Sequence, residues 1–325
     1  MALDRFGRTI HYLRISLTDM CNLRCVYCMP EDMTFRPSES LMQDEEILRL
    51  VRIFTHLGFD KFRLTGGEPT LRENLAQLVT FINALPGVRE TSLTTNGLLL
   101  KSLAIPLARA GIRRINISLD TLDPLKFKRL TRWGRVEDVL QGIHAAADAG
   151  MAIKLNAVVV RGQNDRDDVI DLARLTLDHP WQVRYIEMMP LGRISNFQTS
   201  GIVPEDELRA TISDALGPMD LQNDGQLDGE ARMFKLRGAQ GDLGFISAVT
   251  KPFCAGCNRA RLTADGKLLM CLLRDKELDI LTPMREGADD AALIKLIEDS
   301  IWFKPWGHGL SQHIRPTRVM SEIGG

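Results

Sequence analysis

The sequence predicts an α/β fold: an incomplete (β/α)6 TIM-type barrel with a smaller C-terminal α+β region covering its open side. Between residues 12 and 188, short apolar runs alternate six times with amphipathic stretches, as β-α units of a parallel sheet do. A complete TIM barrel needs eight strands and about 250 residues, so six units are expected to leave the barrel open. A doubly wound sheet is the alternative, because periodicity alone does not separate the two folds.

The predicted strands are short, and several alternate polar with apolar residues, as strands with one inward face do. They are YLRISL (12–17), KFRLTG (61–66), TSLTTN (91–96), RINISL (114–119), IKLNAVVV (153–160) and VRYIEM (183–188). Amphipathic helices are predicted between them. Segments 44–58 and 136–150 each keep their apolar residues on one face and end at a glycine, a common helix stop.

The character of the chain changes after Pro190. We predict a helix over 203–217, short strands within 231–238 and 241–249, a hairpin at Asp265-Gly266 and a helix near 288–302. The predicted domains are a partial barrel over 1–195 and a C-terminal region over 196–325.

Composition limits the function classes. The chain has 325 residues, with 41 basic and 42 acidic side chains and a formal net charge of −1, which does not favour a nucleic-acid partner. No apolar run approaches the ~20 residues that span a bilayer, and the N-terminus lacks the apolar core of a signal peptide. We therefore expect a cytoplasmic protein with no membrane partner.

Six cysteines form two groups, at 21, 25 and 28 and at 254, 257 and 271. A disulfide framework suits small secreted chains and not a chain of this length without an export signal. Tight spacing in a reducing compartment instead indicates metal or redox chemistry.

The first group, C-x3-C-x2-C, can hold three irons of a [4Fe–4S] cluster and lacks the nearby fourth cysteine of ferredoxin motifs. A zinc site is the alternative, but it needs another ligand, and His11 lies upstream at the far end of a strand. The group follows the first predicted strand, where barrel enzymes place their chemistry. At the end of the next strand, Gly66-Gly67-Glu68-Pro69 allows close approach of the backbone to a ligand.

Together these motifs resemble the radical S-adenosylmethionine superfamily. The resemblance implies that Cys21, Cys25 and Cys28 hold a cluster whose fourth iron binds S-adenosylmethionine, which is cleaved to a 5′-deoxyadenosyl radical. It also implies cofactor contacts along the barrel, at Tyr27, Gly67, Glu68, Ser118 and a methionine before Pro190, for which we favour Met189 over Met188.

The second group, C-x2-C-x13-C, has a zinc knuckle as its alternative. Two arginines follow it, Arg259 and Arg261, and alternate residues of an extended segment point the same way. Paired guanidiniums suit a polyphosphate, unless both face solvent.

The whole pattern resembles the GTP 3′,8-cyclase family of molybdenum cofactor biosynthesis. The similarity runs from FGRTIHYLRISLTDMCNLRCVYCMPE through RLTGGEPTLR, TTNG, NISLDTL and KLNAVV to PFCAGCNRARLTADGKLLMCL and the terminal Gly-Gly. It implies a second [4Fe–4S] cluster on Cys254, Cys257 and Cys271, whose open iron binds the guanine of GTP. The implied GTP contacts are Arg14, Arg63, Thr94, Lys154, Arg259, Ala260 and Arg261. The implied catalytic set is the first three cysteines with Arg259, Arg261, Gly324 and Gly325.

The resemblance further implies a reaction and partners. The radical abstracts hydrogen from ribose C3′, and C3′ then attacks guanine C8, giving (8S)-3′,8-cyclo-7,8-dihydroguanosine 5′-triphosphate. Expected partners are an electron donor, cyclic pyranopterin monophosphate synthase as the next enzyme, and a second copy of the chain in a homodimer. The alternatives are a peptide-maturing radical enzyme and a non-catalytic zinc-binding protein. We interpret His308 and His313 as structural or solvated.

Overall fold

The computed structural model describes residues 2–192, 201–310 and 316–324. In this described part, twelve strands form one continuous sheet in the order β12-β11-β10-β1-β2-β3-β4-β5-β6-β9-β8-β7. The strands are β1 (Tyr12–Ser16), β2 (Lys61–Thr65), β3 (Glu90–Thr95), β4 (Arg114–Ser118), β5 (Ala152–Val159), β6 (Gln182–Glu187), β7 (Met219–Leu221), β8 (Arg232–Leu236), β9 (Asp242–Ile246), β10 (Arg259–Leu262), β11 (Lys267–Leu269) and β12 (Glu277–Asp279).

Most of the helices cover the outer face of the sheet, and the last one places Met320 on the inner side. The helices are α1 (Asp44–His56), α2 (Leu75–Asn83), α3 (Leu100–Ala110), α4 (Pro124–Thr131), α5 (Val136–Asp148), α6 (Asp167–Asp178), α7 (Glu205–Leu216), α8 (Leu281–Arg285), α9 (Asp290–Trp302) and α10 (Met320–Ile323). The six predicted strands and the helices predicted at 44–58, 136–150 and 203–217 are confirmed to within two residues at their ends.

The first six strands pair in parallel and in chain order, which confirms the predicted succession of β-α units. The C-terminal region contributes more than a cover. It adds β9 parallel to β6 at one edge and β10 parallel to β1 at the other. The parallel part of the sheet therefore has eight strands, drawn from both halves of the sequence. The predicted boundary between residues 195 and 196 lies outside the described residues.

The hydrophobic core lies between the sheet and the helices. Helix α1 shows why: Ile47, Leu50 and Phe54 recur on one face and are completely buried, while acidic residues occupy its first turn. Each such burial contributes roughly 1.5–3 kcal/mol. None of the helices in the described ranges is long and apolar enough to cross a membrane.

The inner face of the sheet is polar. In β1, Leu13 and Ile15 pack in the core, whereas Arg14 between them points to the opposite face, because side chains alternate along a strand. Arg184 on β6, at the other side of the parallel sheet, lines the same cavity as Arg14. The sheet must therefore curl, and this curvature confirms the partial-barrel prediction over a flat, doubly wound sheet.

Candidate active site

A cavity of about 240 Å³ opens inside the curled sheet. Residues from both the barrel strands and the C-terminal region line it. Ten of the residues singled out from the sequence are among them: Arg14, Arg63, Thr94, Ser118, Met189, Cys254, Cys257, Arg259, Arg261 and Cys271. Met189 lines the cavity, whereas Met188 is buried at 4 % exposure.

Six arginines line this cavity. Arg8 belongs to the N-terminal segment, and the five that lie on strands of the sheet we call the arginine cluster: Arg14, Arg63, Arg184, Arg259 and Arg261. Burial lowers the pKa of Arg63 to about 10, and neighbouring Arg14 adds to that decrease. Burial also lowers the pKa of Arg261, with further repulsion from Arg14 and Arg259. The protein therefore concentrates positive charge where solvent cannot screen it, which favours an anionic ligand.

The alternation of side chains along β10 sets which residues of Arg259-Ala260-Arg261 face the cavity. Arg259 and Arg261 on β10 point inward, as their spacing predicts. Ala260 points the other way, is 1 % exposed and belongs to the hydrophobic core. The structure therefore does not bring the Ala260 side chain to the site.

One carboxylate lies inside the arginine cluster. Glu230 is buried and forms ion pairs with Arg14 and, at 2.6 Å, with Arg259. Burial alone would raise the pKa of Glu230, but Arg259, Arg14 and the other arginines hold it well below its usual range. Lys154 on β5, another predicted GTP contact, is paired in the same way with Asp228 at 2.7 Å.

Two guanidinium nitrogens of the arginine cluster remain unsatisfied. The Nε atoms of Arg14 and Arg63 are buried without a hydrogen-bond partner in the described part of the chain. Buried polar atoms are normally paired, so orphaned donors in a cavity indicate a ligand that supplies acceptors. A phosphate group offers such acceptors.

The first cysteine loop lies at the C-terminal end of β1. All three of its thiols are free, and burial raises the pKa of Cys21 to about 11 and that of Cys28 to about 12. The thiols also raise one another's pKa, which shows that they lie close together. The three free thiols of this loop can serve as metal ligands. The loop offers little else that would stabilise them as charged thiolates.

The glycine motif after β2 positions this loop. A Cβ atom at Gly67 would lie 2.1 Å from the carbonyl oxygen of Met20, so no other residue fits there without displacing the cysteine loop. The amides of Gly67 and Glu68 donate to the carbonyls of Thr18 and Met20, both at 2.7 Å. This close approach fixes the backbone that leads into Cys21.

Glu68 joins the glycine motif to the TTNG segment. Its buried carboxylate accepts hydrogen bonds from the amide and hydroxyl of Thr70, the hydroxyl of Thr95 and the amide of Asn96. Burial raises the pKa of Glu68, and these four donors oppose that rise. The carboxylate is thus used within the protein, while its predicted contact with the cofactor remains a prediction.

Tyr27 is fixed in a similar way. Its hydroxyl donates to Asp120 at 2.5 Å, and Asp120 also accepts from the amide of Val158. Burial raises the pKa of Asp120 to about 6. The contact attaches the cysteine loop to the segment that follows β4, beside Ser118.

The second cysteine group lies in a more positive environment. Burial alone would raise the pKa of Cys257, but Lys304 and Arg259 lower it to about 7. Lys304 is 1 % exposed, and its ammonium donates to the carbonyls of Arg259 and Met270. Arg8 donates to the carbonyl of Cys254 at 2.8 Å and so attaches the N-terminal segment to this loop.

The C-terminal segment links the first cysteine loop to strand β10. The amide of Met320 donates to the carbonyl of Cys28, and Met320 also lines the cavity. The carbonyl of Gly324 accepts a hydrogen bond from Arg261. Gly325, the last predicted catalytic residue, lies outside the described residues, as does His313.

The two donor sets suit clusters of several irons. Each has three free cysteine thiols that interact electrostatically. Within residues 2–192, 201–310 and 316–324, no three ligand side chains converge closely enough to hold a single metal ion. In a [4Fe–4S] cluster each thiolate binds a different iron, so its ligands need not converge on one point.

Several site residues were missed at the level of sequence: Arg8, Asp120, Arg184, Glu230 and Lys304. Arg184 could have been found from the sequence. Because successive side chains of the predicted strand VRYIEM point to opposite faces, Arg184 must face the barrel interior if Val183 faces the helices. Glu230 and Lys304 carried no such signal. They come from the C-terminal region, and tertiary contacts alone bring them to the cavity.

Comparison with protein families supports these observations. Residues 15–175 match the model described as "Radical SAM superfamily", and residues 181–310 match "Molybdenum Cofactor Synthesis C". Among solved structures, Streptococcus suis SuiB bound to S-adenosylmethionine is similar, with a TM-score of 0.62 and 17% sequence identity. That match covers 94% of this chain and 68% of SuiB, and at this identity it shows the fold alone.

Curated relatives extend the similarity over the full chain. The GTP 3′,8-cyclases of Moorella thermoacetica and Pelotomaculum thermopropionicum are each 44% identical over 324 residues, covering 99% of this chain and 99% of each relative. That of Thermodesulfovibrio yellowstonii is 43% identical over 328 residues, with 99% of both chains covered. The resemblance found in the motifs is thus confirmed, and the chain belongs to the GTP 3′,8-cyclase family of the radical S-adenosylmethionine superfamily.

Proposed function

We propose that this chain converts GTP to (8S)-3′,8-cyclo-7,8-dihydroguanosine 5′-triphosphate, an early step of molybdenum cofactor biosynthesis. The observation that carries the proposal is the arginine cluster, with its orphaned Nε atoms, in the same cavity as the second cysteine group. A nucleoside triphosphate has a polyanionic end for the arginines and a base for the open cluster. A peptide substrate does not require five buried guanidiniums.

The residues divide into those that hold clusters and those that hold substrate. Cys21, Cys25 and Cys28 would hold the first [4Fe–4S] cluster, and Cys254, Cys257 and Cys271 the second. When bound, the first cluster and S-adenosylmethionine supply the carbon-centred radical that begins the reaction.

The chain's own contribution is binding, orientation and exclusion of water. Arg14, Arg63, Arg259 and Arg261 would hold the triphosphate, with Lys154 as a further cation. Thr94 lines the same wall and would help to orient the ribose. Since a carbon radical attacks most C–H bonds within reach, the fixed position of the ribose selects C3′.

The cofactor side of the cavity would be formed by Tyr27, Gly67, Glu68, Ser118 and Met189. Ser118 and Met189 line the cavity, and Tyr27 is held beside Ser118 through Asp120. For the C-terminal tail we propose a role of Gly324 and Gly325 at the active site, supported by the contact between Gly324 and Arg261.

The partners belong to the same proposal. We propose an external electron donor, transfer of the product to cyclic pyranopterin monophosphate synthase, and a homodimer. The exposed aromatic residues Phe6, Trp302, Phe303 and Trp306 offer a surface for the dimer. The six free thiols support a cytoplasmic, reducing location. We also propose that the chain divides into a partial barrel over 1–195 and a C-terminal region over 196–325.

The test is anaerobic turnover of the reconstituted protein with GTP deuterated at C3′, S-adenosylmethionine and a reductant. We expect 5′-deoxyadenosine carrying one deuterium and, in equal amount, the cyclised nucleotide, both detected by mass spectrometry. Cleavage of S-adenosylmethionine without deuterium transfer would contradict the proposal and would favour a different substrate, such as a peptide.

A further inference from the structure

Two carboxylates pair with cations that would suit phosphate, and one of them, Glu230, lines the cavity. Asp228 and Glu230 lie between β7 and β8, on residues 222–230, which we call the acidic segment. Glu230 pairs with Arg14 and Arg259, and Asp228 pairs with Lys154. The two carboxylates thus neutralise cations on β1, β10 and β5, on opposite sides of the barrel.

The acidic segment is otherwise a surface loop. Residues 223–227 are exposed, and residues 223 and 224 have positive φ values of 54° and 50°. The Gly229 backbone, at φ 67°, has no atom within 4 Å of where a Cβ would be. Apart from short-range backbone bonds, the contacts found for Asp228 and Glu230 are to side chains on strands of the parallel sheet, including 3.2 Å from the Gln182 amide to Asp228. Such a segment can move without disturbing the core.

The charges explain why the acidic segment lies inward. Five buried guanidiniums repel one another, and an internal anion reduces that repulsion. A triphosphate would supply the same neutralisation with more charge and more acceptors. Both cannot occupy the space beside Arg14 and Arg259.

We propose that Asp228 and Glu230 form an internal counter-anion that stabilises the substrate-free cavity and is displaced outward when the polyphosphate of the substrate binds. This inference rests on the proposed function for the identity of the nucleotide. The two carboxylates therefore compete with GTP for the same cations. The apparent affinity for GTP is reduced by the fraction of molecules in which the acidic segment lies inward.

The experiment compares Glu230→Gln with Asp224→Asn on the reconstituted protein, at equal iron content. Asp224 is exposed on the same segment, and Asn tolerates its left-handed conformation, so it controls for loss of one negative charge. We expect Glu230→Gln to bind GTP about tenfold more tightly than wild type and Asp224→Asn to bind it as wild type does. Asp228→Asn, a milder change that releases Lys154 alone, is expected to bind about threefold more tightly.

Two further readouts separate displacement from a structural role. Without ligand, Glu230→Gln should melt at a lower temperature than wild type, and saturating GTP should raise its melting temperature by more than it raises that of wild type. In wild type, GTP should increase hydrogen exchange of the amides of residues 223–230. Equal or weaker GTP binding by Glu230→Gln, or protection of those amides by GTP, would overturn the proposal.

Inorganic tripolyphosphate serves as a second ligand. If wild type binds tripolyphosphate with increased exchange of the segment but does not bind GTP, the counter-anion stands and the proposed substrate fails. If GTP is bound and converted while the segment becomes protected, the proposed function stands and the counter-anion fails.

Discussion

The guanidinium of Arg261 donates a hydrogen bond to the carbonyl oxygen of Gly324, so the penultimate residue of the chain is attached to a strand of the barrel. Gly324 adopts φ 86°, and a Cβ atom there would lie 2.7 Å from a methyl group of Thr65. The contact therefore requires glycine on two grounds, its backbone conformation and its lack of a side chain.

Gly324→Ala should release the tail from the site. A left-handed backbone costs a non-glycine residue about 1–2 kcal/mol, and the clash with Thr65 adds to this, so GTP turnover is expected to fall about tenfold or more. Iron content should not change. Gly287→Ala is the matched control, because Gly287 also has a positive φ of 97° but an open surrounding. Equal GTP turnover by the two variants would contradict a role of the C-terminal tail in the reaction.

Lys154 predicts a pH dependence of binding. Burial, followed by repulsion from Arg184, lowers the pKa of Lys154 to about 8, although Asp228 opposes the shift. Its ammonium is therefore present below pH 8 and is lost as the pH rises through that value. We expect the dissociation constant for GTP to increase between pH 7.5 and 9.5 in wild type, measured by titration calorimetry. In Lys154→Arg the charge persists, so a rise of the same size would refute this explanation.

Arg184 is predicted to hold the substrate. Its guanidinium is oriented by Asn156 at 3.0 Å and Asn116 at 2.8 Å, and it lines the cavity with the other arginines. Loss of one charged hydrogen-bonding group costs about 1.5–3 kcal/mol, so Arg184→Ala should raise the KM for GTP roughly 10- to 100-fold. Arg174→Ala, on the exposed surface of α6, is the control. An unchanged KM in Arg184→Ala would show that this arginine only supports the fold.

The two cysteine groups should separate cofactor chemistry from substrate chemistry. Cys28→Ser and Cys271→Ser are each expected to lower the iron content from about eight to about four per chain. Cys28→Ser should abolish S-adenosylmethionine cleavage, whereas Cys271→Ser should retain some cleavage and lose cyclisation of GTP. Each variant is the control for the other. The hypothesis fails if both variants lose the same activity to the same degree.

Much of this site was predictable from sequence because its ligands are local. Cys21, Cys25 and Cys28 lie within eight residues, and Arg259 and Arg261 share a strand whose alternation places both on one face. The strands and helices of the barrel were predictable for the same reason, since their periodicity is set by neighbouring residues. The same alternation turns the Ala260 side chain to the core face, although the family resemblance had implied a GTP contact for Ala260.

Tertiary contacts set the relative positions of site residues that no local sequence pattern predicts. Strand β10 joins the sheet beside β1 although about 240 residues separate them, and this pairing brings Arg261 next to Arg14. Glu230 enters the arginine cluster from a polar loop whose composition predicts only exposure. Local sequence patterns predicted the chemistry of each half of the protein. Long-range strand pairing brings the two halves around one cavity. Sequence patterns do not predict this pairing, because close packing and the desolvation of charges depend on distance in space and not on separation along the chain.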